Sequence, residues 1–119
     1  MRVRLLADTN VPPDLMDHLY REIPLVFPQL KWTSAPAVLS INDADAYTPH
    51  RCQHDGLLLL NHARAHADLA PLFLYVVSDD MYGCGRTFVY GLAMHRVGAV
   101  VSLARLDRPH YTVRAVNQV

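Results

Sequence analysis

The run Leu72–Ser78 constrains the fold of this chain most strongly. It reads LFLYVVS, so only its last residue is polar. A strand without alternating polar residues is typical of a sheet that is covered on both faces. The run is also far shorter than the ~20 residues that a membrane-spanning helix requires. The sequence therefore predicts a soluble α/β protein in which this strand is buried on both faces of a sheet.

The segments before this run predict two strands and a helix between them. Arg2–Ala7 alternates polar and apolar residues, as a strand does. A helix is predicted to begin at Pro12 and Pro13, since proline is tolerated in a first helical turn, and Pro24 and Pro28 are expected to end it. Lys31–Ile41 predicts a second strand, and its internal Pro36 indicates a sheet edge or a bulge.

Downstream, a long helix is predicted from Pro49 to about Ala67, and two further strands at Phe88–Met94 and Ala99–Leu106. Another helix is predicted from Pro109. One arc of the long helix is predicted to face the sheet, namely Gln53, Gly56, Leu57, Leu60, Ala63 and Ala67. The predicted order is β-α-β-α-β-β-β-(α), an α/β fold with a mixed twisted sheet of about five strands and two main helices.

Composition narrows the classes of partner. With 119 residues, 51% of them hydrophobic, the chain is predicted to form a single domain over residues 1–119. Its 11 basic and 11 acidic residues balance to a net charge of +0, which offers no electrostatic surface for nucleic acid or an anionic membrane. No secretory leader pattern occurs at the start, so a cytoplasmic location is expected.

Two histidine pairs, His50 with His54 and His62 with His66, have the four-residue spacing of zinc ligands on a helix. A catalytic zinc helix also needs a glutamate directly after the first histidine, and these positions hold arginine and alanine. A solvated helix face is therefore favoured over a metal site. Asp79–Asp80 offers carboxylates for a cation, although a solvated polar loop is the favoured explanation. We assign no metal ligand or catalytic residue from these patterns.

Three segments resemble the archaemetzincins. Residues 80–93, DMYGCGRTFVYGLA, resemble the family pattern DLY..G.NFVFG.A, and residues 99–106, AVVSLARL, resemble the strand A.VSLARL that follows it there. Residues 46–53, AYTPHRCQ, are similar to AYDP.R.QY at the start of a long helix in that family. The chain departs from the family at Thr87, where an asparagine is usual, and at Cys84, where a proline is usual.

The resemblance implies the N-terminal subdomain of a metzincin-type zinc metallopeptidase, which hydrolyses peptide bonds with zinc-activated water and a glutamate as general base. In the family the zinc motif HExxHxxGxxH lies on the next helix. Residues Arg114–Val119 of this chain resemble the first turns of that helix. We therefore expect this chain to correspond to the part of the peptidase that ends before this motif. Full-length relatives are expected to bind zinc and to act on a peptide or protein substrate. No zinc is expected to bind to this chain.

The resemblance also implies a substrate-binding edge strand, formed by Phe88, Val89, Tyr90, Gly91, Leu92 and Ala93, which would pair with an extended peptide. An ordinary core hairpin strand explains the same residues. At the level of function, the alternative is a non-catalytic binding or interaction module that keeps the sheet, for example an inactive paralogue. A metal-binding module that uses the histidine pairs is a third possibility.

Overall fold

The computed structural model describes residues 1–67 and 72–106, which form two sheets and two α-helices. Helix α1 spans Pro13–Val26 and helix α2 spans Gly56–His66. Two short 3-10 turns occur at Ile41–Ala44 and Pro49–Arg51. The strands are β1 Arg2–Ala7, β2 Lys31–Trp32, β3 Ala37–Val38, β4 Tyr47–Thr48, β5 Gln53–Asp55, β6 Leu72–Val77, β7 Met81–Gly83, β8 Arg86–Val89, β9 Gly91–Met94 and β10 Gly98–Ser102.

The main sheet has the strand order β2-β1-β6-β10-β9. Strand β3 also pairs with β1, at Leu6 and Ala7, whereas β2 pairs with the start of β1, at Arg2 and Val3. Strands β1, β2, β3, β6 and β10 run parallel, and β9 runs antiparallel to β10. Strand β6 lies in the middle, and its side chains alternate between two cores. Phe73, Tyr75 and Val77 face α2, and Val76 faces α1. The prediction of a strand that is buried on both faces is therefore confirmed.

A second, smaller sheet has the order β4-β5-β7-β8 and accounts for most of the difference from the predicted five strands. The predicted strand Phe88–Met94 is wrong as a single element. It divides at Tyr90 into the end of β8, which belongs to the small sheet, and β9, which belongs to the main sheet. The predicted strand Lys31–Ile41 also divides, into β2 and β3 on either side of Pro36, and both pieces pair only with β1.

Helix α1 continues past Pro24, the first of the two prolines that were predicted to end it, and ends at Val26, before Pro28. Proline has no N–H, so the carbonyl of Tyr20, four residues earlier, receives no hydrogen bond from within the helix. The indole Nε1 of Trp32 donates to this carbonyl at 2.8 Å, and its ring stacks on the Tyr20 ring with 5.7 Å between centroids. A side chain from β2 thus supplies the donor that the helix lacks.

Helix α2 begins at Gly56 and not at Pro49, because residues 53–55 pair as strand β5 with β4 and β7. The Asp55 side chain caps the helix by accepting a hydrogen bond from the Leu57 amide at 2.9 Å. Because α2 starts later than predicted, a different face of the helix packs against the main sheet. Leu59 is fully buried, whereas Leu57, predicted to face the sheet, is 52% exposed.

The predicted helix from Pro109 and the segment Arg114–Val119 lie outside the described residues. Within the described part of the chain, no helix is long and apolar enough to cross a membrane.

Candidate functional site

Strand β9 is the terminal strand of the main sheet, and its outer side pairs with no strand in the part of the chain that the structure describes. Its inner side pairs with β10, with Leu92 opposite Val100 and Met94 opposite Gly98. The carbonyl of Tyr90 accepts a hydrogen bond from the Ser102 amide at 2.8 Å. Because backbone groups alternate along a strand, the N–H and C=O groups of Gly91 and Ala93 point away from the sheet.

Close packing on glycine fixes the position of β9. The Leu92 side chain lies directly against Gly56, at the start of α2, and against Gly83, in β7. A Cβ atom on Gly83 would come within 2.8 Å of the Leu92 side chain, so neither glycine position accepts a larger residue without movement. The two glycines therefore hold the edge strand against the helix and the small sheet.

A hydrogen-bond network fixes the β7–β8 hairpin next to this edge. The Asp80 carboxylate accepts two hydrogen bonds from Arg105, at 3.0 and 2.9 Å, and a third from Gln53 Nε2 at 2.9 Å. Gln53 Nε2 also donates to the Thr87 carbonyl at 2.8 Å. Arg51 donates to Gln53 Oε1 at 3.1 Å, so the network joins β5, β8 and the end of β10.

Two guanidinium groups stack on aromatic rings beside this network. Arg105 lies 3.8 Å from the centroid of Phe88, and Arg51 lies 3.9 Å from the centroid of Tyr82. Burial of the Asp80 carboxyl alone would raise its pKa. The hydrogen bonds from Arg105 and Gln53 outweigh this effect and lower the pKa below its usual value, so the carboxyl stays charged.

A cavity of about 650 Å³ opens between α2, the hairpin and β9. Its apolar lining comes mainly from α2 and β9, and its polar lining from the residues around the hairpin. The lining residues are Arg51, Asp55, Leu57, Leu60, Tyr82, Gly83, Cys84, Gly85, Arg86, Thr87, Leu92, Ala93 and Met94. Because Leu92, Ala93 and Met94 line it, the cavity adjoins strand β9.

The histidine pairs lie in different surroundings. His50 and His54 do not share a helix face, since His50 is in a 3-10 turn and His54 is buried in β5. The His54 Nε2 atom lies 3.0 Å from an Asp79 carboxylate oxygen. His62 and His66 do share a face of α2, with 4.8 Å between ring centroids.

One ring nitrogen of each histidine on α2 contacts a backbone carbonyl. His62 Nε2 lies 3.2 Å from the Ser40 carbonyl oxygen, and His66 Nδ1 lies 2.9 Å from the His62 carbonyl oxygen. In residues 1–67 and 72–106, no three histidine, cysteine, aspartate or glutamate side chains come together. The Asp79 and Asp80 carboxylates face His54 and Arg105, so the cation suggested by the sequence has no ligand set among these residues.

The structure divides the predicted substrate-binding strand between the two sheets. Gly91, Leu92 and Ala93 lie in β9, whereas Phe88 and Val89 lie in β8 and Tyr90 connects the two strands. The analysis of the sequence missed the network of Arg51, Gln53, Asp80 and Arg105. Its signal was present, because these polar residues stand inside the three segments that carry the family resemblance.

Solved structures match nearly the whole chain. Archaemetzincin from Methanopyrus kandleri is 27% identical, with a TM-score of 0.75 over 99% of this chain and 68% of that protein. Archaemetzincin from Archaeoglobus fulgidus, solved with malonate, is 26% identical, with a TM-score of 0.69 over 98% of this chain and 71% of that protein.

A zinc-dependent peptidase from Methanocorpusculum labreanum is 22% identical, with a TM-score of 0.73 over 92% of this chain and 68% of that protein, and shows the same fold. Neither a protein-family model nor a curated protein matches the sequence. The structural matches and the three sequence segments agree, and the chain is archaemetzincin-like.

Proposed function

We propose that this chain supplies the substrate-holding part of an archaemetzincin-like zinc metallopeptidase, in which the outer side of β9 pairs with the backbone of an extended peptide. The observation that carries the proposal is the outer edge of β9, which pairs with no strand among the described residues and where Gly91 and Ala93 direct their backbone groups outward. Short side chains at these two positions leave room for a second backbone. The peptidase relatives imply a peptide or protein as the substrate.

Strand addition obtains its affinity from backbone hydrogen bonds, and side-chain pockets add selectivity. The network around Asp80 and the glycine contacts of Leu92 support this use of β9, since they hold the strand and the neighbouring hairpin before any ligand arrives. A strand that is already ordered loses little conformational entropy when it binds.

The test is an NMR titration of the chain with the capped heptapeptide Thr-Lys-Thr-Leu-Thr-Lys-Thr. We expect the amide protons of Gly91 and Ala93 to shift downfield, and the inward amide of Leu92 to shift less, because only the outward groups gain a partner. The control is the same peptide with N-methyl groups on its three central residues, which lack backbone donors. Equal shifts with both peptides, or no shift at Gly91 and Ala93, would contradict the pairing.

A non-catalytic binding or interaction module is the second candidate, and the edge of β9 suits it as well, because backbone pairing needs no metal. The two candidates differ in chemistry and use the same edge. We expect residues 1–119 by themselves to bind no stoichiometric zinc and to hydrolyse no peptide. Atomic absorption after purification without chelators measures the first point, and a zinc-to-protein ratio near one would contradict it.

A further inference from the structure

The cavity beside β9 lies on the α2 face of the main sheet. Leu92 and Met94 mark this face, since both pack against the core beneath α2. Both also line the cavity, together with Leu57 from the first turn of the helix. The cavity is therefore a recess next to the outer side of β9, bounded by the helix and by the β7–β8 hairpin.

Leu57 presents apolar surface to this recess. The Asp55 side chain caps the start of α2. Leu57 is 52% exposed, whereas Leu60, about one turn later, is only 3% exposed. A leucine that is exposed within a concave site leaves apolar surface that a ligand is able to cover. Leu58, the next residue, is 43% exposed but does not line the cavity.

Two polar side chains of the lining, those of Arg51 and Asp55, are engaged within the protein. The Arg51 guanidinium stacks on Tyr82 and donates to the carbonyls of Arg86 and Thr87, at 3.3 and 3.2 Å, as well as to Gln53. An Asp55 carboxylate oxygen accepts the hydrogen bond from the Leu57 amide. These two groups offer less to a polar ligand than free groups would, whereas the exposed surface of Leu57 is available to an apolar one.

We propose that the recess binds a large apolar side chain, of the size of leucine or methionine, from the peptide that pairs with β9. This inference rests on the proposed function. Alternate side chains of an extended peptide project to the α2 face of the sheet, the face on which the recess opens. Leu57, Leu92 and Met94 are then the residues that determine which side chain the chain prefers at this position.

The experiment compares the heptapeptide Thr-Lys-Thr-Leu-Thr-Lys-Thr with the same peptide carrying serine at its centre. We expect the leucine peptide to bind about tenfold more tightly, because its side chain leaves water. In methyl NMR spectra, the leucine peptide should shift the signals of Leu57, Leu92 and Met94. Equal affinities for the two peptides would overturn the proposal.

The variant Leu57→Ala should reduce the preference for leucine over serine to about threefold, because part of the apolar wall is removed. The matched control Leu58→Ala, on the next residue of the same helix, should retain the tenfold preference. Both residues are about half exposed, so neither change should unfold the chain. A preference that is lost equally in both variants, or in neither, would contradict the assignment of Leu57.

The amide and methyl signals separate the two failures. Shifts of the Gly91 and Ala93 amides with both peptides, without methyl shifts or a leucine preference, would overturn the recess and leave the strand pairing intact. Methyl shifts without amide shifts would overturn the pairing, and with it the recess as a subsite for a paired peptide.

Discussion

The two edges of the main sheet are built in opposite ways. At one edge, Pro36 divides the outer strand into β2 and β3, and the side chains of Trp32 and Ser34 attach these pieces to α1 and to Arg4 of β1. At the other edge, β9 is a single regular strand whose outward positions carry only Gly91 and Ala93. The first edge is interrupted and is held by side-chain hydrogen bonds. The second edge is continuous and is held by the packing of Leu92 on Gly56 and Gly83.

This difference separates a structural edge from a candidate binding edge. Proteins commonly prevent unwanted strand pairing by breaking, bulging or charging their outer strands. The β2–β3 edge follows this practice through Pro36. The β9 edge does not, and its support comes from Gly56, Gly83 and the network around Asp80, which leave the outer backbone groups untouched.

The largest effect is expected at the interrupted edge. The change Trp32→Ala should lower the free energy of unfolding by about 3 kcal/mol, because it removes the ring stacked on Tyr20 and leaves the Tyr20 carbonyl without its donor. Trp32→Phe keeps a ring and should cost about 1 kcal/mol. Urea denaturation measures both values, and a loss below about 1 kcal/mol for Trp32→Ala would mean that side chains do not hold this edge.

Next in size is the support of the open edge by Asp80. Asp80→Asn should lower the free energy of unfolding by about 2 kcal/mol at neutral pH, since a charged acceptor is lost from Arg105. The pKa of Asp80 is lowered in the folded chain, so its contribution is complete above about pH 4 and disappears as the pH falls through the folded-state pKa.

Denaturation curves recorded between pH 7 and pH 2 check this prediction. The parent chain should lose stability over the acid range faster than Asp80→Asn does, and the two should approach each other at the lowest pH. Parallel curves at all pH values would show that the Asp80 carboxylate does not support the hairpin.

A smaller effect is expected where β9 meets the helix. Gly56→Ala should lower the free energy of unfolding by about 1.5 kcal/mol, because the new methyl group meets the Leu92 side chain and the Tyr82 carbonyl. Alanine normally stabilises a helix relative to glycine, so destabilisation here would identify the contact as the cause. Asn61→Ala, on the exposed face of α2, is the control and should change stability by less than about 0.5 kcal/mol.

The smallest effect on stability, and the sharpest contrast in binding, comes from proline at each edge. Ala93→Pro removes an outward N–H of β9, and Val38→Pro does the same in β3; each should cost less than about 1 kcal/mol, since edge strands tolerate proline at such positions. Ala93→Pro should weaken binding of the leucine heptapeptide at least about tenfold, whereas Val38→Pro should not change it. Equal effects on binding would remove the distinction between the edges.

The sequence predicted the centre of the fold better than its periphery. Leu72–Val77 was recognised because its residues form a continuous apolar run, α1 because prolines stand where a helix begins and ends, and the edge position of the second strand followed from Pro36. The start of α2 was misplaced because Pro49 is an ordinary helix-starting residue. Local preference there yields to the pairing of β5 with β7, a contact that no short-range pattern contains.

The candidate site was predicted only in part. The resemblance indicated a substrate-binding edge strand over Phe88–Ala93, which stays a prediction, and the apolar run through Phe88 and Val89 hid the change of sheet at Tyr90. Leu57 was assigned to the core by helical periodicity, and its exposure beside the cavity depends on the rotation that the Asp55 cap gives to α2. Such a rotation is a property of the assembled structure.

The open strand also has a consequence for handling the molecule. Identical strands are able to pair antiparallel about a twofold axis, so β9 of one copy is itself a ligand for β9 of another. At high protein concentration, self-association through β9 is therefore expected to compete with peptide binding to the same strand. An added peptide that binds β9 should compete with self-association and separate the copies. Light scattering would detect this as a fall in mean particle mass.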